Sequence, residues 1–227
     1  MREAVMGNYQ YYLFDLDGTL TDPKAGITSC VQYALADAGI IEPNLDKLEP
    51  FIGPPLTDSF REFYGFDDEQ IKRAIDKYHE RFDEKGIFEN EIIEGIPELL
   101  KALKDAGRRV SIASSKPRPL VIRILEHFEI AQYFDTVVGS EFDGRFATKE
   151  AVVEEALKQL VPSVYEKEDV AMVGDRKFDI QGARAHGLTG IGVSFGYAGE
   201  HELEDAGADY IVDTVEELQR LLLQGSL

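Results

Sequence analysis

The chain has 227 residues, 44% of them hydrophobic, enough for one sizeable core or for one core and a small second domain. Its 24 Lys and Arg face 43 Asp and Glu, a formal charge of −19 that repels nucleic-acid phosphates and anionic membranes, so neither is expected as a partner. An anionic substrate would need a locally positive site on this acidic molecule.

The opening MREAVMGNYQ carries Glu3 and no long apolar stretch, so it does not read as a signal peptide, and a cytoplasmic protein is expected. Residues 1–8 are given no role. Residues 11–16 read as a strand. The next 90 or so residues, to Arg109, are far more than an ordinary crossover needs, and most of them show helical patterning. Asp22 and Pro23 form an N-cap and first-turn pair, after which Ile27, Val31, Ala34, Leu35 and Ala38 make a stripe that stops at Gly39. Cys30, the single cysteine, lies in that pattern as a small buried hydrophobe; it cannot form an internal disulfide, which fits a reducing compartment. Residues 56–64 and 69–82 predict two more helices, with Phe60, Phe63, Ile71, Ile75, Tyr78 and Phe82 available for a second core. Beyond them, helices at 96–106, 119–128, 149–160 and 180–186 alternate with strands at 109–113, 136–138, 170–173 and 190–193, and a last strand lies at 210–212. That alternation predicts an α/β core with a parallel sheet covered by helices on both faces. The core comprises residues 1–20 and 92–227, and residues 21–91 form an inserted helical domain. No apolar run reaches the ~18 residues of a membrane helix.

Ligands of such sheets bind at the carboxyl ends of the strands. The first strand ends in Asp15, Asp17 and Thr19, within YYLFDLDGTLTD. The strand at 109–113 runs into Ser114, Ser115 and Lys116. The strand at 170–173 runs into VGDRKFD, with Asp175 and Asp179, and Lys149 opens the helix after TVVGSEFDG. Alternate side chains of an extended segment share a direction, so Asp15 and Asp17 can face one site. Together with Asp175 they make an oxygen-rich set suited to Mg²⁺. Asp15 can then stay ionised and nucleophilic while Asp17 carries a proton. Ser114 can hold phosphate oxygens, and Lys149 supplies positive charge. Singly, each has a structural reading: DGT as a turn, the serines as turn residues, Lys149 as a solvated charge, Asp179 as a first-turn acid. Their joint placement at strand ends argues for one site.

These residues resemble the motifs of the haloacid dehalogenase superfamily: FDLDGTLTD the first, ASS the second, Lys149 the third and GDRKFD the fourth. FIGPPL, SKP, VGS, MVGDR and AGADYIV suggest its phosphoglycolate phosphatase-like branch. The resemblance implies a Rossmann-like core, with the inserted helices as a type-1 cap over residues 21–91. It also implies a Mg²⁺-dependent phosphatase acting on a small phosphorylated metabolite as a monomer or homodimer. Asp15 would attack phosphorus to give an aspartyl-phosphate, and Asp17 would protonate the leaving alcohol and then activate water. Mg²⁺ would bind the Asp15 carboxylate, the Asp17 carbonyl and Asp175, with Asp179 supporting it. Ser114 and Lys149 would orient and neutralise the phosphoryl group; Ser115 and Lys116 are the alternatives for those two roles. Thr19, Ser115, Lys116, Gly53 and Pro54 are expected substrate contacts, the last two from the stiff cap loop at 51–55. Family members that cleave carbon–halogen bonds lack an acid at the position of Asp17, so dehalogenation is not expected. The alternatives are a 5′-nucleotidase or pyrophosphatase of the same fold, a phosphomutase, and a non-catalytic binding protein. The mutase would need an acid–base group in the cap, where the only histidine is His79. The binding protein would be expected to lack a motif residue, and none is missing.

Overall fold

The computed structural model describes residues 9–161 and 169–225; residues 1–8, which the sequence gives no role, lie outside them. The chain divides into two compact units, one formed by Met1–Leu20 with Ile92–Leu227 and the other by Thr21–Glu91.

In the first unit a six-stranded parallel sheet contains β1 (Tyr11–Phe14), β4 (Arg109–Pro117), β5 (Thr136–Ser140), β6 (Val170–Gly174), β7 (Thr189–Val193) and β8 (Tyr210–Val212). Their order is β5-β4-β1-β6-β7-β8. Chain direction across the sheet therefore reverses around β1, a doubly wound arrangement whose switch point lies at the carboxyl end of that strand. The expected parallel α/β core is thus borne out. Strand β1 is paired on both edges, with Leu13 opposite Ser111 on β4 and Met172 on β6. Being enclosed, it and β6 read as apolar runs rather than alternating ones. On one face Leu13, Val138 and Met172 pack in one cluster with Val153 and Ala156 of α6 (Lys149–Leu160) and Ala183 of α7 (Lys177–Ala185). On the other face, the Tyr12 hydroxyl donates to the carbonyl of Leu222 in α9 (Val215–Gln224), 2.6 Å away. The helices α4 (Ile96–Asp105), α5 (Arg118–His127) and α8 (Glu202–Ala206) complete the unit.

Some element bounds differ from those read in the sequence; β1, for one, ends at Phe14 rather than at residue 16. Strand β4 continues through Ser114, Ser115 and Lys116 to Pro117, because β5 extends alongside it to Ser140 with a register shift between Ser114 and Pro117. Helix α7 starts at Lys177, so Asp179 sits in its first turn, where polar residues carry no apolar period. Helices α8 and α9 were not among the expected elements. Yet α9 carries a legible start signal, since Thr214 accepts the Glu217 N–H at 3.1 Å and the Glu217 carboxylate accepts the Asp213 N–H at 2.9 Å.

The second unit is helical: α1 (Lys24–Asp37), a 3₁₀ segment Leu45–Phe51, α2 (Leu56–Tyr64), α3 (Asp68–Phe82) and a short 3₁₀ turn Gly86–Phe88. The chain enters it at β2 (Thr21–Asp22) and leaves at β3 (Glu91–Ile92), which pair with each other. Pro23 occupies the N-cap position of α1, and Asp22 acts from one residue further out, accepting the Lys24 N–H at 2.9 Å. Phe51 packs edge-on to Phe60 at 5.0 Å, and Phe60 stacks on Phe66 at 5.7 Å. Ile71, Tyr78 and Phe82 are buried as expected, whereas Phe63 is 44% exposed and Ile75 half-buried; Ala38 lies past the end of α1 and is exposed. Cys30 is buried, with Arg81 Nη1 3.1 Å from its sulfur, while Arg81 also grips Glu89 with two bonds of 2.7 and 3.0 Å. No helix among the described residues is long and apolar enough to cross a membrane.

Two stability predictions follow from particular contacts. A Cβ on Gly26 would lie 2.1 Å from the Gly86 carbonyl oxygen, so Gly26→Ala is expected to destabilise the helical unit by about 1–3 kcal/mol in urea unfolding. At the amino end of the sheet, Asp135 accepts the Val110 N–H at 2.9 Å, Lys104 at 2.9 Å and Arg109 at 2.8 Å. Burial works against its charge, but these three donors outweigh it and hold the carboxyl below its usual range. A depressed folded-state pKa contributes stability that is present above the unfolded value of roughly 3.9 and lost as pH falls through the folded value. Asp135→Asn should therefore cost about 1–3 kcal/mol at pH 7, and the difference should close toward pH 3 and below; equal cost at both pH values would refute the assignment.

Candidate active site

All the candidate core residues collect at the carboxyl end of β1, β4 and β6. Asp15 follows the last residue of β1 and keeps the strand direction, its N–H donating to the Val173 carbonyl at 2.9 Å. The chain then turns at Gly18, whose φ of +82° suits glycine, and whose missing Cβ leaves room for Asp175 Oδ2; a Cβ there would lie 2.2 Å from that oxygen. Asp175 directly follows β6. Gly174 permits the close approach of Asp179, since a Cβ there would sit 2.2 Å from the Asp179 carboxyl carbon. Lys149 is the first residue of α6, placed by Thr148, whose hydroxyl caps the helix at the Ala151 N–H.

The sheet thereby buries four carboxylates, Asp15, Asp17, Asp175 and Asp179, each no more than 8% exposed. Lys149 Nζ is 2.8 Å from Asp15 Oδ1 and 2.7 Å from Asp179 Oδ1, and donates to the Ala113 carbonyl at 3.0 Å. Lys116 Nζ pairs with Asp17 Oδ2. The other Asp17 oxygen is buried with no hydrogen-bond partner among the described residues. Asp175 accepts the Thr19 hydroxyl at 3.3 Å and the Tyr197 N–H at 2.8 Å, both neutral donors. Its ionisation shows the cost. Burial, with Asp179 and Asp15 beside it, pushes Asp175 well above the usual carboxylate range. Burial also raises Asp17, with Lys116 offsetting it only in part, and pushes Asp179 up to about 6 against the pull of Lys149. Burial disfavours the Lys149 ammonium too, but Asp15 and Asp179 outweigh it and hold the pKa above its normal value.

With all four carboxylates ionised, the two ammonium groups leave the buried cluster two positive charges short. Oxygens of Asp15, Asp175 and Asp179 all lie within 4.8 Å of one another. A donor set made only of oxygen, with that deficit, fits a hard divalent cation such as Mg²⁺. The Asp17 side chain is not in this trio, being held by Lys116.

Ser114 is buried, and its hydroxyl accepts the Lys116 N–H at 3.3 Å. Ser115 is half-buried, and its carbonyl accepts the Ser140 hydroxyl at 2.8 Å. Thr19, expected beside substrate, is fully buried, and its hydroxyl donates to Asp175 at 3.3 Å. Gly53 and Pro54 belong to the helical unit, in the half-buried link between its 3₁₀ segment and α2, with Gly53 at φ +103°. Sequence reading missed Tyr197, whose backbone N–H binds Asp175. The only signal for it is the adjacent Gly196, where a Cβ would come 2.3 Å from the Asp175 Cβ.

The family model of haloacid dehalogenase-like hydrolases matches residues 12–193. The chain is 45% identical to a 5′-nucleotidase of Pseudomonas aeruginosa, over 89% of this chain and 90% of that one. It is 38% identical to the tyrosine-protein kinase PtkA of Mycobacterium tuberculosis, over 94% of this chain and 72% of that one. The crystal structure of a predicted phosphatase from Clostridium acetobutylicum superposes with a TM-score of 0.90 at 46% identity, covering 95% of this chain and 99% of that one. With a match that spans most of its length and a doubly wound sheet that gathers the four motifs at one edge, the chain belongs to the haloacid dehalogenase-like hydrolases.

Proposed function

We propose that this protein is a phosphatase that hydrolyses a small phosphomonoester through an aspartyl-phosphate on Asp15. The observation that carries this reading is the placement of two buried acids two residues apart, each with one oxygen on a lysine. Asp15 has one oxygen held by Lys149. Asp17, two residues on, has one oxygen held by Lys116, the other unpartnered, and an affinity for protons raised by burial. The first is arranged as a nucleophile and the second as a proton carrier.

In the first half-reaction an Asp15 carboxylate oxygen bonds to phosphorus as the bond from phosphorus to the ester oxygen breaks. The proton on Asp17 goes to that leaving oxygen, releasing the alcohol. In the second, Asp17, now ionised, takes a proton from water as the water oxygen attacks phosphorus. The bond to Asp15 breaks, phosphate leaves, and both acids return to their starting states. Lys149 neutralises charge on Asp15 and on the phosphoryl oxygens, and the Ser114 hydroxyl is within the same buried edge to orient them. Mg²⁺, when bound by Asp15 and Asp175 with Asp179 in support, would supply the missing positive charge and polarise the phosphoryl group.

Residues 21–91 are proposed as the cap that sets specificity, with Gly53 and Pro54 contacting substrate. Among candidate substrates, 5′-nucleotides are favoured by the 45% identity to a 5′-nucleotidase, with phosphoglycolate and the phosphoanhydride pyrophosphate next.

Phosphate release from 5′-nucleotides, phosphoglycolate, pyrophosphate, sugar phosphates and phosphotyrosine tests the reading. Turnover should require Mg²⁺, vanish in EDTA and fall at least about 10³-fold in Asp15→Asn. Full activity in Asp15→Asn would exclude the covalent route. Asp17→Asn should slow hydrolysis of alkyl phosphates by about 10²–10⁴-fold. It should slow formation of the covalent intermediate much less with p-nitrophenyl phosphate, whose leaving group needs no proton. An equal loss in that step with both esters would remove Asp17 from the acid role.

A further inference from the structure

We infer that Glu202 is a positioning residue for the metal-site acid Asp175, acting by tying together the two loops that hold it; this rests on the reading of Asp15, Asp175 and Asp179 as a divalent-cation site. Asp175 is fixed on two sides. On its own loop, Arg176 and Lys177 follow directly. On the loop after β7, the Tyr197 N–H binds its carboxylate at 2.8 Å, and Gly196 lies so close that any side chain would strike Asp175 or the Gly18 carbonyl. Lys177 opens α7, whereas the loop after β7 has no helix or strand between Val193 and Glu202.

Glu202, the first residue of α8, joins them. Its Oε1 accepts Arg176 Nε at 2.9 Å and the Lys177 N–H at 2.8 Å. Its Oε2 accepts the Gly199 N–H at 3.0 Å. One carboxylate therefore binds the backbone two residues beyond Asp175 and the backbone two residues beyond Tyr197. The pair is enclosed, with the Arg176 and Glu202 side chains 13% and 14% exposed. His201, just before it, adopts φ +60°, in the left-handed region. Glu202 touches none of the three cation-site carboxylates in the bonds above; it acts through the loops. Such outer partners of metal ligands typically affect affinity by about 10–100-fold.

The test is Mn²⁺ binding to the full-length protein, followed by electron paramagnetic resonance, in wild type, Glu202→Gln and Arg176→Gln. A glutamine at 202 must turn an NH₂ group toward one of the N–H donors and lose that bond. Clamping predicts Mn²⁺ affinity lower by roughly 10–100-fold in Glu202→Gln, with turnover largely restored at high Mg²⁺, so that the apparent Mg²⁺ requirement rises while kcat holds. Simple charge attraction predicts the same sign for Glu202→Gln but tighter binding for Arg176→Gln, which removes a positive charge. Clamping predicts weaker binding there as well. Tighter or unchanged Mn²⁺ binding in Arg176→Gln, or wild-type binding in Glu202→Gln, overturns the inference, and if Glu202→Gln does not fold, Arg176→Gln decides alone. Absence of Mn²⁺ binding in the wild type overturns the cation-site reading itself, and this inference with it, which distinguishes the two failures.

Discussion

The Lys149 ammonium makes the carboxyl edge of this sheet possible. It lies between Asp15 and Asp179 and also binds the Ala113 carbonyl, which occupies its donors within a buried setting. An unpaired buried charge of either sign is strongly unfavourable, so neither acid nor lysine is tolerable there alone. With Lys149 in place the chain can bring acids from two strands and one helix to within contact. Even so, the compensation is incomplete, and the elevated proton affinities of Asp17, Asp175 and Asp179 record the shortfall. A site that is short of positive charge is suited to receive a divalent cation.

Glycines provide the room for this crowding. At Gly18, Gly174 and Gly196 any side chain would enter the space of Asp175 or Asp179. The acids are therefore held by backbone shape as much as by hydrogen bonds, and the loops bearing those glycines carry the burden of precision. That is why an exterior tie such as Glu202, which gathers two of the loops, matters to a carboxylate it does not touch.

Much of this was legible in the residues. Strand–helix alternation identified the parallel sheet, the long stretch between Leu20 and Arg109 identified an insertion, and the helices at 56–64 and 149–160 have the bounds their periodicity predicts. The acids at strand ends and Lys149 were visible because their types and positions follow from where a parallel sheet places ligands. Helix α9 was also visible in principle, through Thr214, Glu217 and the stripe of Leu218, Leu221 and Leu222, but it lies beyond the last expected strand. Other features had no local signal. The extension of β4 through Lys116 depends on how far β5 runs beside it, and the exposure of Phe63 depends on which aromatic rings the small core has room for.

By itself, the sequence determined the class of the fold and the chemical types at the site, because hydrophobic period and residue identity are local properties. Only the tertiary structure decided who pairs with whom. Lys149 binds Asp15 across 134 positions of chain and Lys116 binds Asp17 across 99, so Lys149, expected in the third motif, and Lys116, its alternative there, serve different acids. The Thr19 hydroxyl and the Tyr197 N–H donate to Asp175, and the Glu202 carboxylate accepts the Lys177 and Gly199 N–H groups. Such pairings arise from strand order and loop packing between distant segments, and a linear string of residues carries no record of either.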